Sequence, residues 1–299
     1  MTVSENKGTL FFVHRGPLLS YVRAAILQAH STDPDSTIVL LGDQPRDSLP
    51  AEVRAVMSYA LLDDYSARAN AFAQIFRFDG YNGFDYELLN FQRWHYVRAF
   101  CEANSLKGPF LVLDSDAYLY QPMDAITPHL STPMTVVDTV GPQFTFFLTT
   151  KALADFTDFL TESFLTESGF ARLKDFVRDH DDAGVPNAGD MAAFGVYAGQ
   201  HKLDDIGAAN RDGFIFCENI GSPQGLVMNA LGKRVTRRKG RRYFTTQSGR
   251  NVLAGGVHLQ GGNKDLWPYF VDSGVRRTLA QHSRRDYVDA GRKARKKAF

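Results

Sequence analysis

At 299 residues, with 44% hydrophobic and 22% charged side chains, the chain can bury a self-supporting core, and its composition excludes disordered, collagen-like and coiled-coil classes. Two cysteines outside any C-x-x-C spacing exclude a disulfide scaffold and a cysteine-based zinc site, and with no signal-type apolar run after the polar MTVSENKG the expectation is a cytoplasmic protein. The formal charge of +1 hides a segregation: residues 228–299 hold 18 Lys and Arg against 4 Asp and Glu, and the rest holds 16 against 29.

In chain order, residues 9–13 (TLFFV) are apolar throughout and predict a buried strand. Pro17 suits the first turn of a helix to about residue 30, with Leu18, Leu19, Val22, Ile26 and Leu27 on one face. Residues 37–41 predict a second buried strand closed by Gly42 and Asp43, then 50–57 a helix, 59–62 a short strand, 90–103 a longer helix and 109–113 another buried strand. Strands without polar alternation, separated by helical patterns, indicate an α/β fold whose mostly parallel sheet is flanked by helices on both faces, a Rossmann-like arrangement. From residue 134 the pattern changes: 134–137 and 143–148 read as strands, and 151–164, 170–180 and 189–199 as helices. Gly-rich and basic loops follow, then a short strand near Val257 and a charged helical tail. With no repeat and no Pro/Ser linker, one domain over 1–267 with a basic helical extension over 268–299 is expected.

The segment FLVLDSDAYLY, residues 110–120, carries the chemistry. In an open α/β sheet ligands bind beyond the carboxyl ends of the strands, where Asp114 and Asp116 stand. Two apart in extended chain, they point to one side and Ser115 to the other. Such a pair repels unless a cation lies between the carboxylates or one is protonated. A divalent metal shared with a diphosphate satisfies that demand. A strand end running into a solvated turn, which favours Asp and Ser, is the plainer alternative.

Two blocks carry a resemblance. RWHYVRAF (93–100) followed by GPFLVLDSDA (108–117) resembles the helix, strand and Asp-x-Asp block of GT-A glycosyltransferases. HLQGGNK (258–264) with Trp267 resembles the His-x-x-Gly-x-x-Lys signature of the glycogenin and lipopolysaccharide galactosyltransferase family. The spacing is kept on His258, Gly261 and Lys264; Leu266 replaces the Pro expected before the Trp, and Pro268 follows it. The resemblance implies a GT-A fold, a nucleotide-sugar donor and a metal held by Asp114, Asp116 and His258. It further implies donor contacts from Arg93, Ser115, the Gly261 backbone and Lys264, with His14 and Arg15 where this fold holds nucleobase and ribose. An imidazole ligand leans toward Mn²⁺ over Mg²⁺, glycine lets the backbone approach phosphate, and Lys and Arg supply charge for it. Each residue also has a plainer role: His258 in a core, Arg93 in an ion pair with a neighbouring helix, His14 and Arg15 in a loop.

Resembling enzymes often place an aspartate at the start of a helix near the reacting sugar, and Asp190 matches that place. A carboxylate in a first turn is equally favoured by the helix dipole, with Asn187 as cap. Glu218, bounded by apolar residues, is the reserve candidate for a base. The motifs G-x-x-x-x-G-K-[ST], G-x-G-x-x-G after the first strand, and G-x-S-x-G are all absent. The resulting expectation is a metal-dependent, retaining transfer of a hexose from a UDP-sugar to a sugar or glycolipid acceptor, with Mn²⁺ as cofactor and Mg²⁺ as the substitute. A sugar nucleotidyltransferase, which normally shows a Gly-rich phosphate loop after its first strand, and a nucleotide-sugar-binding protein without catalysis are the rivals. The basic clusters at 233–242 and 284–297 suggest peripheral contact with an anionic membrane face, against the alternative of a solvated basic face; nucleic acid is not the expected partner.

Overall fold

The computed structural model describes residues 8–80, 82–180, 188–208 and 213–282. The chain begins with β1 (Thr9–His14), α1 (Ser20–Thr32), β2 (Thr37–Gly42), α2 (Ala51–Arg54), β3 (Ser58–Leu61), α3 (Ser66–Ala73) and α4 (Phe84–Ala103). It continues through β4 (Phe110–Leu113), β5 (Ala117–Leu119), α5 (Met123–Ile126), β6 (Thr135–Val136), β7 (Phe144–Phe147), α6 (Thr150–Leu165), α7 (Glu167–Asp179) and α8 (Asp190–Gln200). The last part holds β8 (Asp204–Asp205), β9 (Phe214–Phe216), β10 (Met228–Asn229), β11 (Gly232–Lys233), β12 (Val235–Arg238), β13 (Arg241–Thr245), β14 (Asn251–His258), α9 (Trp267–Phe270) and α10 (Ser273–His282).

The main sheet has the order β3-β2-β1-β4-β7, parallel except for β7, which runs antiparallel to β4. This is the mostly parallel α/β architecture expected from the strand pattern. Successive side chains of β1 go to opposite faces, as strand geometry requires. Leu10 and Phe12 enter a core with Ala25 and Ile26 of α1; Phe11 enters another with Trp94 and Val97 of α4 and Phe156 of α6. Burial on both faces explains why these strands are apolar throughout. Helices α6 and α7 start at Thr149 and Thr166, whose hydroxyls accept from the backbone N–H of Ala152 and Gly169.

A second sheet, β12-β13-β14-β5 with β9 alongside β14, packs under the first. It contains the main departures from expectation. The basic stretch read as loops forms the β12–β13 hairpin, with Arg238 and Arg241 exposed and Phe244 buried. The strand near Val257 runs over the eight residues of β14. Its Gly255 and Gly256 read as loop signals, but they sit there because rings press on the backbone: a Cβ on Gly256 would meet the Phe144 ring at 2.7 Å and the Tyr118 carbonyl oxygen at 2.9 Å. Helix α4 begins at Phe84, earlier than residue 90, and α3 and β5 are additional elements.

Beyond residue 267 the chain stays in the same core, where Val275 and Leu279 of α10 are buried. Residues 283–299, with the cluster at 284–297, lie outside the described residues. No helix among the described residues is long and apolar enough to cross a membrane.

Gly256→Ala is expected to destabilise the fold by about 1–3 kcal/mol through overpacking, read from the midpoint of urea unfolding. An unchanged midpoint would contradict the close sheet junction.

Candidate functional site

The chain lays down β1, β2 and β3 in one direction across the sheet and then returns to place β4 on the other side of β1. Such a reversal opens a crevice at the carboxyl ends of the two strands. Phe12 pairs with Leu113, so Val13 and Asp114 follow at the same level and His14 emerges one residue further along β1. The turn after β4 is tight: Asp114 donates its N–H to the Gln143 carbonyl at 3.2 Å, and its carbonyl accepts from Ala117 N–H at 3.0 Å. The chain then enters the second sheet. There Ala117 of β5 pairs with His258 of β14, and the Asp116 carbonyl accepts from Leu259 N–H at 3.0 Å. Asp114 thus belongs to one sheet, while Asp116 and His258 are set together by the other.

The potential ligand atoms of Asp114, Asp116 and His258 lie within 4.8 Å of one another. His258 Nε2 is 3.2 Å from Asp116 Oδ1 and 3.8 Å from Asp114 Oδ2. The Nδ1 atom lies 2.7 Å from the Glu218 carbonyl oxygen. A carbonyl only accepts, so Nδ1 carries a proton and the lone pair of the neutral ring is on Nε2, aimed at the carboxylates. Burial opposes charging of His258, but Asp116 and Asp114 prevail and raise its pKa to about 9. Burial likewise works against the Asp116 carboxylate, and His258 and Lys264 overcome it, bringing the pKa down to about 2. The two carboxylates therefore demand a cation at Nε2, and their donor set suits a divalent ion as well as a proton.

Lys264 Nζ lies 3.1 Å from Asp116 Oδ2 and 5.0 Å from the centre of the Tyr21 ring. It is carried by the 3₁₀ helix Gly261–Leu266, whose first residue has φ +58°, a conformation that favours glycine. Arg93 bridges two carboxylates: one Nη pairs with Asp114, and the other lies 2.5 Å from Asp190 Oδ2. The ion-pair role considered for Arg93 is therefore made within the crevice, with Asp114 and with Asp190 of the neighbouring α8. Asp190 is the first residue of α8 and is buried. Burial raises its pKa to about 6; Arg93 opposes the rise, and Asp114 and Glu87 add to it.

The other expected residues are distributed around this centre. His14 Nε2 is 3.3 Å from the Pro17 carbonyl oxygen, and burial pushes the His14 pKa down. The Arg15 guanidinium turns toward α4, donating to Gln92 Oε1 at 3.0 Å and Tyr96 Oη at 2.9 Å. Ser115 is half-buried in the turn between the aspartates. Glu218 approaches His258 through its backbone carbonyl, while its carboxyl, raised in pKa by burial, is half-buried. The proposed Asn187 cap lies outside the described residues.

Two residues escaped the sequence reading. Gln143 holds the Asp114 backbone and donates from Nε2 to the Glu218 carbonyl at 3.1 Å, tying both halves of the cluster together. Its only signal is a polar residue heading an aromatic strand. Tyr86 lies on the face of α4 that carries Arg93, as a spacing of seven residues would have shown. A cavity of about 500 Å³ lined by α6 and α8 residues such as Asp158 and Tyr197 contains none of the site residues.

No protein-family model and no curated protein matches the sequence. Several solved structures of glycosyltransferases match. Mouse xyloside xylosyltransferase 1 is 11% identical over 66% of this chain and 84% of its own, with a TM-score of 0.45. An active-site mutant of LgtC is 10% identical over 95% of both chains, also at 0.45. GlyE of Streptococcus pneumoniae TIGR4 is 14% identical over 66% of this chain and 44% of its own, at 0.34. At such scores the reaction has to be read from the site itself.

Arg93→Met would leave Asp114 and Asp190 facing each other in a buried crevice. Loss of one partner from a buried charge cluster is expected to cost about 3–5 kcal/mol near neutral pH, measured by chemical unfolding of the metal-free protein. The deficit should shrink as the pH falls toward about 6, because without Arg93, which holds the Asp190 pKa down, the carboxyl takes up its proton at a higher pH than in the wild type. A deficit that does not depend on pH would contradict the bridging role.

Proposed function

We propose that this protein is a metal-dependent glycosyltransferase that takes a hexose from a UDP-sugar and transfers it to a sugar or glycolipid acceptor. The observation that carries the proposal is the convergence of Asp114, Asp116 and His258 at the sheet crevice, with the Lys264 ammonium beside them. Asp114, Asp116 and His258 would hold the ion, with Mn²⁺ favoured over Mg²⁺ by the imidazole. When bound, the ion supplies Lewis-acid stabilisation of the leaving diphosphate.

The chain's own groups do the rest. Lys264 presents a positive charge to the diphosphate oxygens, and the open space around Gly261 allows backbone approach to them. Arg93 fixes the separation of Asp114 and Asp190, so the two carboxylates meet the sugar in a set geometry. Asp190, poised near pH 6, can accept a hydrogen bond from a sugar hydroxyl or hold a proton. Retention of configuration is the expected outcome; an inverting reaction would assign Asp190 as base for the acceptor hydroxyl, with Glu218 in reserve. His14 stands at the end of β1 as a contact for the nucleoside. Cytoplasmic location, with peripheral membrane contact through the basic C-terminal residues, completes the proposal.

Incubation with UDP-hexoses and Mn²⁺ is expected to release UDP, slowly without an acceptor. Pyrophosphate-dependent consumption of the UDP-sugar would instead identify a nucleotidyltransferase, and binding without turnover a non-catalytic protein. Asp116→Ala should abolish Mn²⁺-dependent UDP binding, measured by titration calorimetry, while the fold stays intact. Retained metal-dependent binding would remove Asp116 from the ligand set. Lys264→Ala should lower kcat more than it raises the donor KM, because charge on the diphosphate grows as the bond breaks. An unchanged kcat would place Lys264 outside the reaction.

A further inference from the structure

Tyr86 is the exposed aromatic residue that the charged crevice leaves unexplained. It sits in the first turn of α4, two helical turns before Arg93 and on the same face, about 10 Å away along the axis. The residue is 56% exposed. Its phenol nonetheless lies within electrostatic reach of Asp114, Asp190, Lys264 and Arg93, so it borders the crevice on the solvent side. The exposed rings of Phe78 and Phe84 have packing roles: they meet at 5.7 Å between ring centres, and Phe84 meets Phe76 at 5.6 Å. Among the described residues Tyr86 has no ring partner, and its hydroxyl makes no hydrogen bond to them.

We propose that Tyr86 is a stacking platform for the acceptor, binding the apolar C–H face of a neutral pyranose ring at the mouth of the crevice. This rests on the glycosyltransferase reading. Charged groups line the floor and suit the metal, the diphosphate and the donor hydroxyls, but an uncharged acceptor arriving from solvent needs apolar surface as well. A tyrosine supplies a flat apolar face and a hydroxyl that can bind a sugar hydroxyl at its edge. Standing on the face of α4 that carries Arg93, whose guanidinium pairs with Asp114 and Asp190, Tyr86 would hold the stacked ring on the approach to the reacting sugar.

The test is saturation-transfer NMR with maltose, lactose and cellobiose, each added to the full chain with UDP and Mn²⁺. At least one disaccharide should show transfer to the protons of one ring face. Tyr86→Ala should weaken that binding about tenfold, the scale of one aromatic contact, and Tyr86→Phe should retain most of it. UDP binding with Mn²⁺ should be the same in all three proteins, which also shows that the variants fold. No transfer from any disaccharide to the wild type, or equal transfer in Tyr86→Ala, overturns the platform. A wild type that fails to bind UDP with Mn²⁺ overturns the donor reading first and the platform with it.

Discussion

Three carboxylates, Asp114, Asp116 and Asp190, meet in one crevice, and the groups around them serve to neutralise their mutual repulsion. Arg93 separates Asp114 from Asp190, and Lys264 and the imidazolium of His258 flank Asp116. The balance is local and costly, because burial works against the charge on Arg93, Asp116, Asp190 and His258 alike. A site built only for stability would more economically hold apolar residues there. The carboxylates call for positive charge at His258 Nε2, and a divalent ion there would meet the same demand.

The fold supplies this arrangement by joining two sheets at one turn. The parallel sheet needs burial on both faces, and α4 and α6 cover one face while α1 and the second sheet cover the other. Asp114 ends a strand of the first sheet, and three residues later β5 begins to pair with β14 of the second. The separation between Asp114 and His258 is therefore fixed by backbone hydrogen bonds in both sheets, not by loop conformation. Gln143 reinforces the joint from the antiparallel edge strand, holding the Asp114 backbone and the Glu218 carbonyl that fixes the His258 tautomer.

The strands of the main sheet were legible because burial on both faces leaves an unbroken apolar run, as in TLFFV and FLVL. The cluster of Asp114, Asp116 and His258 was legible as two motifs, although only the pairing of β5 with β14 shows that they meet. That pairing is long-range, and a three-residue strand such as Ala117–Leu119 has too little pattern to announce itself. The β12–β13 hairpin was hidden because its exposed face is Arg-rich, and β14 because Gly255 and Gly256 look like loop residues until the Phe216 and Phe144 rings are seen against them. Arg93 and Asp190 are 97 residues apart, and no local signal couples them. Tyr86 went unread for a nearer reason: the helix was begun too late, so its spacing from Arg93 could not be counted.

The central claim is that Asp114, Asp116 and His258 together hold a divalent ion next to a nucleoside diphosphate. Pulsed electron paramagnetic resonance of Mn²⁺ bound to the protein in the presence of UDP tests it most directly, since it detects ligand nuclei at the ion. The account predicts coupling to one imidazole nitrogen, lost in His258→Gln, together with phosphorus coupling from UDP. Bound Mn²⁺ with no nitrogen coupling, or with a nitrogen signal that survives His258→Gln, would contradict it.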